Sequence, residues 1–290
     1  GMGGYGTYQA YRRMLLHEAT DQSAEYVVLY LYGDDHIRSL LSCRYAWAYS
    51  RYKDDRGTIF HGNFWPHINL DLQTGQWVEH DNLLKTREDL MKMADPEFMF
   101  QSLRDDLAVK IYCFTRGSID EIDMDRVRTL AEKLGVAIDP YENLAQQRES
   151  LKKLINTYGY KSTEVVLGKA RAFCEERKKK LLVVNFDPWR SMKQACLGEP
   201  RSDQELVDIL ERGKYFTFDM SRVHAEDFKA FKIPYDEYFK RYFHGHYSPS
   251  GNHFFAYSIK KLFVEWLDPK PVTYQNTEEA QLRFEDYLKR

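Results

Sequence analysis

The chain has 290 residues, of which 43% are hydrophobic and 30% charged, so it is long enough to bury a full hydrophobic core. Its formal net charge of −2 excludes a general electrostatic attraction to nucleic acid. No signal-peptide pattern and no apolar run of membrane-spanning length is evident, so we expect a cytoplasmic protein that does not bind membranes. Four widely spaced cysteines without a Cys-x-x-Cys pair argue against a disulfide scaffold and a cysteine zinc site.

The first predicted segment, residues 1–43, contains a glycine-rich loop, a helix and a strand. The helix is expected over residues 8–18, where apolar side chains recur on one face. Residues 25–32 are nearly all apolar and lead into Gly33, Asp34 and Asp35, a pattern typical of a strand in a parallel sheet. Because an α/β unit normally opens with a strand, we expect the first strand of the fold to be missing from this segment.

Residues 44–110 are rich in Trp, Tyr, Phe and His, and we expect them to form an inserted lid outside the main sheet. Residues 68–73 and 76–80 flank the pair Thr74-Gly75 and predict a β-hairpin. Residues 96–107 follow an Asp-Pro break and predict a helix.

Residues 111–271 are expected to complete the α/β domain, before a polar tail at residues 272–290. The predicted elements are a strand or buried segment at 109–114, helices at 118–134 (stopped by Gly135), 140–157, 162–180 and 202–212, strands at 181–186 and 215–219, a long helix opened by Ser248 and Pro249, and a tail helix at 277–288. This alternation predicts an α/β fold with a mainly parallel sheet. Since ligands bind at the carboxyl ends of parallel strands, we expect residues 33–35, 187–189 and 244–253 along one edge.

Residues 244–253 contain three histidines just before the predicted long helix. One interpretation makes His246 a general base, and another makes it a polar histidine that closes the loop by hydrogen bonds. A metal site built on His244 and His246 would need a further carboxylate or histidine, and no residue spacing identifies one. We therefore predict no metal and no cofactor.

Three short motifs occur in a fixed order along the chain. Residues 3–10 read Gly-Gly-Tyr-Gly-Thr-Tyr-Gln-Ala, residues 31–35 read Leu-Tyr-Gly-Asp-Asp, and residues 246–251 read His-Tyr-Ser-Pro-Ser-Gly. They are similar to the second, third and fifth blocks of the SGNH (GDSL-like) hydrolase superfamily. The resemblance covers residues 1–35 and 160–270, and it implies a flavodoxin-like three-layer sandwich with a mainly parallel sheet and an aromatic-rich insertion.

The resemblance also implies a role for one residue in each motif. Gly4 matches the glycine whose backbone N–H donates to the oxyanion, and Asp34 matches the asparagine whose side-chain amide donates to the same oxygen. An ionised carboxylate only accepts hydrogen bonds, so Asp34 is expected to repel the developing charge. His246 matches the general base, and His244 stands where the acid that orients the base is expected. The residues assigned to substrate binding are Tyr5, Asp35 and Trp189.

The nucleophilic serine of that superfamily belongs on a strand before Gly3, and this chain has no residue there to supply it. We therefore expect either a truncated hydrolase or a degenerate one. The expected class is esterase, lipase or carbohydrate deacetylase, acting on a small-molecule or carbohydrate ester, with very low or no activity in this chain. The alternatives are a non-catalytic glycan- or acyl-binding module and a histidine-based metallohydrolase. An uncovered sheet edge beside residues 25–32 also predicts a homodimer.

Overall fold

The structure, a computed structural model, describes residues 4–20, 22–44, 46 and 63–267. The chain divides into two compact units, Gly1–Tyr235 and Asp236–Arg290, which we call unit 1 and unit 2 and describe separately. Across the described ranges, no helix combines the length and the apolar character needed to cross a bilayer.

Helices and strands alternate through most of unit 1. In chain order its elements are α1 (Thr7–His17), β1 (Tyr26–Tyr32), α2 (Asp35–Arg38), β2 (His67–Leu70), β3 (Trp77–His80), a 3₁₀ helix (Glu88–Ala94), α3 (Pro96–Leu103), α4 (Leu107–Thr115), α5 (Met124–Leu134), α6 (Leu144–Glu176), β4 (Lys180–Phe186), α7 (Ser191–Leu197), α8 (Gln204–Arg212), β5 (Thr217–Asp219) and α9 (Met220–Lys229).

The main sheet has three parallel strands in the order β1-β4-β5. β1 pairs with β4 over its whole length, from Tyr26 opposite Lys180 to Tyr32 opposite Phe186. Residues 181–184 of β4 are apolar because both faces of this central strand are covered, and Val183 is fully buried. The predicted α/β class with a parallel sheet is confirmed. The three strands end at the same edge, which is where parallel sheets bind ligands.

The long helix α6 contributes to both buried clusters of unit 1. Leu151 and Leu154 pack in a cluster that also contains residues of α4 and α5. Val166 and Leu167 pack in a second cluster that contains residues of α1 and β1. α6 therefore connects the helical part of unit 1 to the face of the sheet.

Two separate helices were expected at residues 140–157 and 162–180, and this prediction is wrong. α6 is one continuous helix of 33 residues that contains Gly159 in its interior. A Cβ on Gly159 would stand 2.8 Å from Cδ2 of His36 and 2.9 Å from its carbonyl carbon. The glycine is therefore explained by the close approach of α2 to α6 and not by a helix end.

The strand expected at residues 109–114 is also wrong, because these residues lie in α4. The Asp106 side chain accepts a hydrogen bond from the Val109 amide and caps this helix. Seven residues of α4 between Leu107 and Phe114 are buried, so the apolar residues show no helical period in the sequence. The alternative expectation, a buried segment, is confirmed.

Two other predicted helix boundaries changed. The helix expected from residue 118 begins at Met124, because Asp123 accepts hydrogen bonds from the amides of Asp125 and Arg126. It ends as predicted at Gly135, which has a φ of 66°. The helix expected over residues 96–107 ends at Leu103.

The predicted hairpin is confirmed as a two-stranded antiparallel sheet of β2 and β3, separate from the main sheet. Its turn is stabilised by the Asp71 carboxylate, which accepts hydrogen bonds from the amides of Gln73 and Thr74. Gly75 completes the turn with a φ of 72°.

Unit 2 contains most of α10 (Tyr235–Tyr242), then β6 (Phe243–His244), β7 (His246–Tyr247) and α11 (Pro249–Leu267). The predicted start of the long helix is confirmed, because α11 begins at Pro249 and the Ser248 hydroxyl accepts a hydrogen bond from the Gly251 amide. The tail helix predicted at residues 277–288 lies outside the described residues.

Candidate functional site

At the carboxyl end of β1 the chain turns through Gly33, whose φ of 57° is in the left-handed region, into the short helix α2. The loop of residues 4–6 lies directly against this turn. A Cβ on Gly6 would stand 2.5 Å from the Asp35 carbonyl oxygen and 2.5 Å from the Ser39 amide nitrogen, so a larger residue does not fit. The structure therefore brings the glycine loop that contains Gly4 beside the acidic turn.

Asp34 is the first carboxylate of this turn. It forms an ion pair with Nη2 of Arg38, four residues further along the chain. Although burial would raise it, the pKa of Asp34 is lowered, because the guanidinium groups of Arg38 and Arg44 stabilise the charged form. Asp34 is therefore ionised at neutral pH and offers no hydrogen-bond donor to an oxyanion.

Asp35 is the second carboxylate, and its environment differs from that of Asp34. One oxygen lies 2.9 Å from Nη1 of Arg38, and the other accepts a hydrogen bond of 2.9 Å from the Tyr32 amide. Burial nevertheless raises the pKa of Asp35 to about 7, and the negative charge of Asp34 contributes to this rise. Near neutral pH the two adjacent carboxyl groups therefore differ in charge.

The carboxyl end of β4 carries Asp187, and this side chain has a structural role. One carboxylate oxygen accepts hydrogen bonds from the amides of Trp189 and Arg190, and the other from the amide and hydroxyl of Ser191. These bonds hold the start of α7. Trp189 is 49% exposed, and its indole lies 3.9 Å from the position that a Cβ on Gly33 would occupy.

The carboxyl end of β5 carries Asp219, which accepts a hydrogen bond from the Ser221 amide at the start of α9. Its other oxygen lies 2.5 Å from Nη1 of Arg201, and Arg201 also pairs with Asp203 at 2.8 Å. All three are largely buried, and the positive charge is shared between two carboxylates. This third strand end is therefore a structural ion pair network.

Three serines near the sequence motifs form hydrogen bonds within their own units. Ser39 donates to the Asp35 carbonyl oxygen and accepts from the Tyr8 amide. Ser42 donates to the Asp106 carboxylate at 2.5 Å. Ser248 donates to the Arg241 carbonyl oxygen in unit 2. These serines stabilise loops and helix ends, and none of them forms a hydrogen bond with a histidine among the described residues.

Tyr5 and Trp77 each contact another aromatic ring. Tyr5 lies edge-to-face with Trp65, with ring centroids 5.3 Å apart. Trp77 of β3 packs against Tyr158 of α6 at 5.6 Å, which is a contact within the core. Trp47, another aromatic residue of the same segment, lies outside the described residues.

The histidine segment lies in unit 2. β6 and β7 form a tight antiparallel turn around Gly245, whose φ is 80°, and His244 and His246 are direct cross-strand partners. Both imidazoles are exposed, and neither forms a hydrogen bond with the part of the chain that the structure describes. His244 therefore lies beside His246, where the resemblance places an acid. Unlike a carboxylate, it carries no negative charge that could stabilise an imidazolium.

Sequence reasoning missed Arg38, although it binds both carboxylates of the acidic turn. Its spacing of four residues from Asp34 is the signal that could have found it, since such pairs meet on one helix face. His36 was also missed. Its ring stacks on Tyr160 with centroids 4.2 Å apart and bonds Asn156, and burial lowers its pKa, so it is a neutral packing residue.

Within the described ranges, no group of three or more His, Cys, Asp or Glu side chains is arranged to hold a metal ion. Comparison of the chain with protein-family models, with curated proteins and with solved structures gave no match. The interpretation of the site therefore rests on its residues and their geometry.

Proposed function

We propose that this chain is an SGNH-like homologue of the ester hydrolases, and that it binds the acyl carbonyl of a small-molecule or carbohydrate ester at the loop of residues 4–6. The observation that carries the proposal is the contact between this loop and the acidic turn, because Gly6 has no room for a side chain against Asp35 and Ser39. A backbone loop held at the carboxyl end of a parallel strand is suited to donating N–H groups to a ligand oxygen. The fold we propose for it is the flavodoxin-like sandwich.

Hydrolysis by this chain is proposed to be very slow. The ionised Asp34 stands where a donor is needed, and loss of one oxyanion donor typically costs about 10²–10³ in turnover. Ser39, the serine closest in sequence to the turn, is fully buried, and its hydroxyl already donates one hydrogen bond and accepts another. His246 is the proposed general base, with His244 in place of the acid that would orient it.

Triacetin, a water-soluble neutral ester, tests both halves of the proposal. We expect it to shift the backbone amide resonances of Gly4 and Tyr5, and we expect acid release in a pH-stat to stay close to the uncatalysed rate. Rapid acid release that His246→Ala abolishes would show that the chain is an efficient hydrolase. An absence of amide shifts at saturating triacetin would remove the proposed binding site.

A binding module without turnover is the second candidate, and the charge of Asp34 favours it. A carboxylate is a good acceptor for sugar hydroxyl groups, whereas it opposes a developing oxyanion. Asp34→Asn distinguishes the two candidates. If the site is a hydrolase site, the asparagine side chain supplies an amide donor, and the variant releases acid from triacetin faster than the unchanged chain does. If it is a glycan-binding site, calorimetry with acetylated oligosaccharides will show weaker binding.

The remaining parts of the proposal concern the state of the protein in the cell. We propose a cytoplasmic protein that binds neither nucleic acid nor membranes and that assembles as a homodimer through the edge of the sheet beside β1. Light scattering at several protein concentrations tests the dimer, and a mass equal to one chain at all of them would contradict it.

A further inference from the structure

One peptide group of the loop, the one that joins Tyr5 to Gly6, is held at both of its polar atoms by side chains. Nη1 of Arg38 lies 3.4 Å from the Tyr5 carbonyl oxygen, a long hydrogen bond. The Gly6 amide donates to Oε1 of Gln9 at 2.8 Å. Because the carbonyl and the amide belong to one rigid plane, these two contacts together fix its orientation.

Gln9 is itself fixed by its surroundings. Its side chain is buried, and its amide nitrogen donates to the carbonyl oxygens of Pro66 at 2.7 Å and Arg38 at 3.3 Å. The same side chain, which projects from α1, therefore binds the loop of residues 4–6, α2 and the segment before β2. A side chain with all of its polar atoms bound has little freedom to release the Gly6 amide.

The two preceding amides of the loop are in the opposite situation. The N–H groups of Gly4 and Tyr5 form no hydrogen bond with any residue that the structure describes. Gly4 has a φ of 87°, a conformation that L-residues with a side chain rarely adopt. Within the described part of the chain, the loop therefore keeps two backbone donors unbonded directly before a peptide group that is held in place.

We propose that Arg38 and Gln9 are positioning residues that fix the Tyr5–Gly6 peptide, so that the N–H groups of Gly4 and Tyr5 form a pre-arranged pair of donors for the carbonyl oxygen of an acyl group. The inference rests on the proposed function and adds to it a second donor, Tyr5, and the two side chains that set the geometry. Donors that are already oriented need not be reorganised when charge develops on the oxygen.

Arg38 has a second effect that supports this assignment. Its guanidinium pairs with Asp34 and Asp35 and thereby offsets negative charge beside the loop. Without it, the charge of Asp34 would oppose an electron-rich oxygen at the Gly4 and Tyr5 amides. One side chain thus orients the loop and neutralises its surroundings.

Hydrogen exchange of the Gly6 amide in the full chain tests whether Gln9 and Arg38 fix the Tyr5–Gly6 peptide. We expect exchange at least about tenfold faster in Gln9→Ala and in Arg38→Met, because each variant removes one of the two contacts that hold the peptide. In Gln9→Glu, whose carboxylate still accepts from Gly6, slow exchange should be largely kept. The matched controls are Gln101→Ala and Arg12→Met, which remove a glutamine and an arginine that bind elsewhere.

The donor pair is tested by titration with triacetin, followed at the amides of Gly4 and Tyr5. We expect both amides to shift together in the unchanged chain, and the apparent Kd to rise about tenfold in Arg38→Met and less in Arg38→Lys, which keeps the charge. A shift at Gly4 without one at Tyr5 would contradict the second donor. A Gly6 exchange rate within twofold of that of the unchanged chain, in both Gln9→Ala and Arg38→Met, would show that these side chains do not fix the peptide.

These readouts separate the inference from the function on which it rests. If triacetin shifts neither amide while Gly6 exchange still depends on Gln9 and Arg38, these residues do fix the peptide, but the ester-binding function fails. If triacetin binds equally well to all variants, the function stands and the positioning role fails. If Arg38→Met unfolds, Arg38→Lys takes its place with the same two readouts, and Gln9→Ala tests the other contact of the peptide.

Discussion

The ends of β1 and β4 look alike in sequence and differ in structure. Both strands are apolar and both lead into aspartate, Asp34 and Asp35 after β1 and Asp187 after β4. Asp187 directs its oxygens to the amides and hydroxyl of its own helix start. Asp34 and Asp35 instead pair with an arginine that also binds a separate loop. The two strand ends therefore differ in what their aspartates bind, which is backbone amides and a hydroxyl at the β4 end and a shared arginine side chain at the β1 end.

The largest expected effect tests the contact that distinguishes the β1 end. Gly6→Ala places a Cβ within 2.5 Å of backbone atoms of α2 and Ser39, which cannot move like a flexible side chain. We expect the free energy of unfolding to fall by about 3 kcal/mol in urea titrations. Gly168→Ala is the control, because a Cβ there meets nothing within 4 Å in the middle of α6, and alanine should stabilise the helix by up to about 1 kcal/mol. Equal effects of the two substitutions would show that the loop does not contact the turn.

The second effect concerns the buried charge at the β1 end. Since the pKa of Asp35 is raised to about 7, the folded chain keeps a proton that the unfolded chain releases above about pH 4. This group therefore lowers the free energy of unfolding as pH rises between about 4 and 7, and the loss is complete above that range. We expect Asp35→Asn to remove about 2 kcal/mol of this decline between pH 5 and pH 8.

Urea midpoints of the unchanged chain and of Asp35→Asn, measured at both pH values, provide this comparison. The difference between the two chains is needed because buried His36 and His224, whose pKa values are lowered by burial, contribute with the opposite sign. Asp125→Asn, at an exposed position, is the control for loss of a negative charge. Parallel pH profiles for the unchanged chain and Asp35→Asn would contradict the buried-charge interpretation.

A smaller effect tests the capping role of Asp187 at the β4 end. Asp187→Ala leaves the amides of Trp189, Arg190 and Ser191 without their acceptor, and we expect a loss of about 1–2 kcal/mol in thermal or urea unfolding. Asp187→Asn keeps an acceptor oxygen and should retain most of the stability. A similar loss in both variants would mean that the negative charge matters, and the distinction between the two strand ends would weaken.

The smallest effect is expected for Trp189, which is 49% exposed beside Gly33. Trp189→Ala should change the free energy of unfolding by less than about 1 kcal/mol, because half of the ring remains in contact with water. Trp189→Phe keeps an aromatic ring and serves as the comparison. If Trp189→Ala weakens triacetin binding and Trp189→Phe does not, the indole belongs to the ligand site. No change in binding in either variant would limit Trp189 to packing.

The sequence predicted those parts of the fold that depend on local patterns. The apolar run of β1, the Thr74-Gly75 hairpin turn and the Gly135 helix stop were all found where they were expected. The errors occurred where contacts distant in sequence decide the outcome. Gly159 resembles a helix break until His36 is seen to pack against it, and α4 has no helical period because it is buried all round.

The site followed the same division. Short motifs directed attention to Gly4 and Asp34, but nothing local to the motif indicated that Arg38 also contacts the Tyr5 carbonyl oxygen, 33 residues away in sequence. The sequence led us to expect an ionised Asp34, but it could not show the cause, which is burial opposed by two arginines. Such balances depend on three-dimensional proximity, which a single sequence does not contain.

The helix α6 has a consequence for how unit 1 loses its structure. One helix supplies residues to both buried clusters, so neither cluster can come apart without removing support from the other. A helix in water depends mainly on tertiary packing for its stability. Unit 1 should therefore unfold cooperatively. A destabilising substitution in the cluster around Leu151 should also destabilise β1, although the two are far apart in the sequence.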